Sequence, residues 1–96
     1  MRPLILMGTG TVVLELEGDP ASLSQVTSAL EVSVETVGGA QVWRGEGRRV
    51  SDARRPSLLA SARVPAARLV PDDYLVALSA RGGEGTLYSY FFRVGR

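Results

Sequence analysis

The densest group of reactive side chains is a run of four arginines, Arg48-Arg49 and Arg54-Arg55, with only Asp52 between them as a counter-charge. Guanidinium forks suit carboxylates and phosphates, so the chemistry on offer is binding of anions, nucleic acid among them. All eleven basic residues of the chain are arginine, however, and a preference spread over the whole sequence marks no single site. Nucleic-acid binding brings a wider basic surface with interleaved aromatics. This stretch has neither, and a net charge of +1 gives no global field toward nucleic acid or an anionic membrane. The four arginines are expected in a solvated loop, as weak contacts to a partner at most.

The remaining constellations fail on chemistry. Asp72 and Asp73 are adjacent acids, whereas calcium needs six to eight oxygens from spaced ligands. Neighbours in a strand-like turn point apart, so a turn role is expected for both. Ser22, Ser24 and Ser28 have no histidine or lysine to act as their base. Gly8-Thr9-Gly10 is followed by no lysine and opens no helix, which excludes a phosphate loop. Histidine and cysteine are absent, which removes disulfides, thiolate nucleophiles, His/Cys zinc sites and the usual general base. No catalytic residue, metal or cofactor is expected, and an enzyme would require a deep cleft with converging carboxylates.

The elements that would carry these residues read as strands. Val12, Leu14 and Leu16 alternate with polar neighbours over 11–17, and Leu30, Val32 and Val34 do so over 30–35. Such period-two patterns mark half-buried antiparallel strands. Gly38-Gly39 predicts a two-residue hairpin turn leading to a strand over 40–46 that carries Trp43. Residues 45–56 read as loop. Strands follow over 57–64, 74–81 and 86–94, the last placing Tyr88, Tyr90, Phe92 and Val94 on one face, with a glycine loop at 82–85 before it. With a short first strand near 3–7, about seven strands fit into 96 residues. That spacing predicts an all-β, immunoglobulin-like antiparallel β-sandwich, one domain over 1–96. No apolar run reaches the length of a bilayer-spanning helix. The residues Met1 to Met7 read as a first strand, not a signal peptide.

Leu69-Val70-Pro71-Asp72-Asp73-Tyr74 has the form of a tyrosine corner, in which the phenol bonds a backbone group a few residues upstream. Tyr74 and Leu69 are therefore structural. Trp43 is expected to pack against the core, although either it or Val42 can face inward by alternation. An exposed tryptophan would instead anchor a protein contact. Phe91 points away from the Tyr88 face and is expected on an apolar patch suited to a homodimer.

Val64 to Val94, with its L-x-P-D-D-Y-x-V-x-L core, glycine loop and Y-x-Y-F-F-R-V ending, resembles a recurring bacterial domain. It is similar to the extracytoplasmic C-terminal β-sandwich of zinc-finger, anti-sigma-like membrane proteins, related in geometry to fibronectin type III domains. The stretch V-G-G-A-Q-V-W-R-G-E-G around Trp43 looks like that family's middle strands. Together these cover roughly half the chain. No zinc-finger segment or membrane helix accompanies them, so no family binding residue transfers. The resemblance implies a non-enzymatic protein-interaction or sensing module, periplasmic or in the cell envelope, within a larger membrane-anchored protein. Two other readings fit the same residues: a passive spacer, and an anion- or nucleic-acid-binding domain using the 48–55 stretch.

Overall fold

The computed structural model describes residues 4–7, 10–24, 26–83 and 85–95. Pro3, Gly8, Thr9 and Glu84, which figure in the first strand, the glycine pair and the second hairpin, lie outside them. The described strands are β1 (Leu4–Met7), β2 (Thr11–Glu17), β3 (Leu30–Thr36), β4 (Gln41–Arg49), β5 (Leu58–Pro65), β6 (Asp72–Ala80) and β7 (Tyr88–Val94). All pairings are antiparallel, in the order β1-β2-β5-β4-β3-β6-β7. The six strands β2 to β7 form a curled sheet, and the short β1 extends it beside β2.

Alternation decides which face closes on itself. Val12, Leu14 and Leu16 of β2 meet Ala60, Ala62 and Val64 of β5. They share one core with Val32 and Val34 of β3, Tyr74, Val76 and Leu78 of β6, and Tyr90 and Phe92 of β7. Each large side chain so buried contributes about 2 kcal/mol. Among the described residues no buried side-chain nitrogen or oxygen lacks a partner.

Two bulges depart from simple alternation, and both add an apolar side chain to the inside. Leu16 pairs with Ala60 but Glu17 with Leu58, which leaves Leu59 as the extra residue. Leu59 is buried in the core. Val34 pairs with Trp43 but Glu35 with Gln41, which leaves Val42 extra. A bulge re-aims its side chain and tightens the local twist, so Val42 and Trp43 both pack against the core. The choice that strict alternation would force between them does not arise.

Several boundaries differ from the sequence reading. Strand β4 runs on to Arg49, so Arg48 and Arg49 are strand residues. Gly45 and Gly47 read as loop because glycine weakens strands, yet here they make room. A Cβ on Gly45 would lie 2.5 Å from the Trp43 ring, and one on Gly47 would lie 2.9 Å from Val32. The Gly38-Gly39 connection is a four-residue loop, 37–40, closed by Thr36 N–H to Ala40 O at 2.8 Å. Only Gly39 of the pair has positive φ, at 99°. Asp72 and Asp73 open β6 instead of forming a turn, paired with Val94 and Arg93. Short 3-10 turns cover Pro20–Leu23 and Ala66–Arg68, the second entered at Pro65.

Candidate interaction surface

The tyrosine corner is formed. Tyr74 is fully buried, its hydroxyl donates to Val70 O, and its ring stacks on Phe92 at 5.3 Å between centroids. Burial, and secondarily the Asp72 charge, raises its pKa above the ordinary value. Leu69 is buried beside it, held by its N–H to Ala66 O at 3.0 Å.

Two further tyrosine ties escaped the sequence reading. Tyr90 OH donates to Glu17 O at 2.8 Å, and Tyr88 OH accepts from Asp19 N–H at 2.8 Å. Both bind β7 to the end of β2, two strands far apart in the sheet order. Gly18 lies between the bonded residues, and a Cβ there would sit 2.6 Å from Leu59 and from the Tyr88 ring. The Tyr-x-Tyr spacing announced a shared inward face, but only the folded sheet supplies the acceptor.

The four arginines do not gather into one patch. Arg49 donates to Ser28 O at 2.8 Å and also to Val26 O, tying down the segment before β3. Arg55 pairs with Glu15 at 2.9 Å and reaches Glu17 at 3.5 Å. The bond to Glu15 is the main cause of its raised pKa. Arg54 is exposed, and its backbone N–H is held by the Asp52 carboxylate at 2.9 Å. Arg48 has no ion pair among the described residues.

Arg48 instead joins Arg63, a residue that drew no attention in the sequence because it stands alone. Strand β4 touches β5 only through Arg48–Ser61 and Arg49–Ala60, while Gln41 to Gly47 pair with β3. The two strands therefore part into a fork. A groove of about 610 Å³ lies beside it, lined by Glu46 and Arg48 of β4, Ser61 and Arg63 of β5, Val13 and Glu15 of β2, and Val50. Ser61 pairs with Arg48, and Arg63 stands two residues further along β5, past the point where the two strands part. Arg63, like Arg48, has no ion pair among the described residues. Glu15 already answers Arg55, so the groove presents two cations against Glu46.

A second depression, about 530 Å³, lies between the Pro20–Leu23 turn and the 50–57 segment, walled by Leu23, Leu58 and Leu59. Its one guanidinium, Arg49, is already engaged with carbonyls, so it has little with which to orient a ligand.

Among the described residues no group of three or more His, Cys, Asp or Glu is placed to hold a metal. No described helix is long and apolar enough to cross a membrane. No family model, curated protein or solved structure matches the chain.

Proposed function

We propose that this chain is an immunoglobulin-like β-sandwich acting as a non-enzymatic protein-interaction module. It holds an acidic, extended segment of a partner protein in the fork between β4 and β5. The observation that carries the reading is that Arg48 and Arg63, neither in an ion pair among the described residues, line one groove beside the point where the edges of β4 and β5 part. An extended peptide fits between such edges through main-chain hydrogen bonds, and guanidinium forks select its carboxylates. The strand order supports the sandwich, since β4 passes from the β3–β6–β7 half to the β1–β2–β5 half. The Tyr74 corner supports it as well. The envelope location rests on the resemblance of Val64 to Val94 to extracytoplasmic domains, and antibody detection in cell fractions tests it.

The binding test titrates the labelled protein with an oligoglutamate decapeptide and follows backbone resonances. Shifts confined to Arg48, Ser61, Arg63 and their neighbours, lost in the double variant Arg48→Glu/Arg63→Glu, support the reading. Absence of shifts at low salt removes it. A single-stranded oligonucleotide of equal charge that bound more tightly than the peptide would favour the nucleic-acid alternative.

A further inference from the structure

We propose that β7 is a homodimerisation edge, pairing antiparallel with β7 of a second copy about a two-fold axis at Phe91. This surface is separate from the β4–β5 fork, so the two readings stand or fall independently.

The direction of the backbone groups follows from the register. Val37 N–H donates to Asp73 O, and Thr36 pairs with Tyr74. Backbone groups along an antiparallel strand alternate sides, so Asp73, Leu75 and Ala77 face β3. Tyr74, Val76 and Leu78 then face β7, where their partners are Phe92, Tyr90 and Tyr88. The N–H and C=O groups of Ser89, Phe91 and Arg93 are left on the outer edge. Among the described residues no strand pairs with that edge.

Natural edges are blunted by proline, bulges, charges or shortness. This one is seven residues long, without proline or glycine, and its pairing with β6 shows no register shift. Its single charge, Arg93, is drawn toward β6 by Asp73 at 2.6 Å. The other edge, β1, has four residues.

The second copy is the occupant because the edge is complementary to itself. Centring on Phe91, the middle residue, aligns all of β7 and sets Ser89 opposite the partner's Arg93, so no like charges meet. A centre at Arg93 would oppose two arginines, which is unfavourable. The Phe91 centre also makes every edge group pair: Phe91 with its own copy, and Ser89 with Arg93 twice. On the outer face Leu75, which is 37% exposed, stands beside Phe91. Dimerisation extends that pair into a continuous four-residue apolar row. An edge contact of this length lies at the small end of stable interfaces, so association is weak and concentration-dependent.

Sedimentation equilibrium of the full chain from roughly 10 µM to 1 mM tests this. Dimer is expected to accumulate over that range, and Phe91→Arg, which opposes two cations, to raise the dissociation constant about tenfold or more. Unchanged Trp43 fluorescence would show that the variant is folded. The absence of cysteine allows a register test. Ser89→Cys and Arg93→Cys proteins, mixed and oxidised, should cross-link faster than either alone, since opposed residues lie within disulfide reach. Monomer throughout the range, an unshifted constant in Phe91→Arg, or equal cross-linking of mixed and single proteins would each overturn the proposal.

Discussion

Tyr90 couples the chemistry of one hydroxyl to the stability of the fold. Burial first, then the neighbouring Tyr88 and Glu17, pushes its pKa up from 10.0 to about 12. Above pH 10 the unfolded chain releases a proton that the folded chain retains. The contribution of the neutral phenol is therefore full below pH 10 and is lost as pH rises toward about 12. The full shift would correspond to about 2–3 kcal/mol, and solvent screening brings the loss below that, to about 1–2 kcal/mol. Denaturant titrations at pH 9 and pH 11.5 should show this slope in the parent chain and a shallower one in Tyr90→Phe. Tyr74→Phe should cost about 1–2 kcal/mol at neutral pH by leaving Val70 O without its donor. Gly45→Val should force the Trp43 ring off its seat, which the red shift of the sole tryptophan's emission would report. These residues were unequally legible. Tyr74 sits in a local motif with its acceptor four residues away, whereas the partners of Tyr88 and Tyr90 are about seventy residues distant. No local pattern encodes that distance.

At the scale of the element, alternation revealed the strands and concealed their irregularities. Strand β2 was readable to the residue because its own side chains keep period two from Val12 through Leu16. Strand β4 was cut short in the sequence reading because Gly45 and Gly47 resemble a turn, although they serve to seat Trp43 and Val32. The bulges at Val42 and Leu59 were illegible, since an extra residue is defined only against a partner strand. Leu59 is nonetheless core, and the half-buried Val42 packs against it. Leu59→Ala should cost about 2–4 kcal/mol, while Leu75→Ala on the outer face should change stability by less than about 0.5 kcal/mol. Chemical denaturation of both variants checks the contrast. The candidate groove was the least legible feature. It needs Arg48 and Arg63 on strands that meet only briefly, and the clustered arginines drew attention to a segment whose members are largely engaged elsewhere.

The described residues close around one core that draws on five strands, with Val42 and Trp43 of β4 packed against it. A chain of this size with a single core should unfold in one cooperative step. Trp43 fluorescence, reporting β4, and near-ultraviolet dichroism of the tyrosines on β6 and β7 should therefore give the same midpoint. Separate midpoints would show that the two halves joined by β4 melt independently.

The pairing of β2 with β5 has a consequence during synthesis. Emerging from the ribosome, β2 meets β1 at once, but its other edge must wait for β5, whose Leu58 pairs with Glu17 and whose Pro65 pairs with Thr11. In that interval the β3–β4 hairpin is complete while Val12, Leu14 and Leu16 remain uncovered. The nascent chain thus carries an apolar strand with one open edge while residues 18–57 are added, the period in which a holdase would find it.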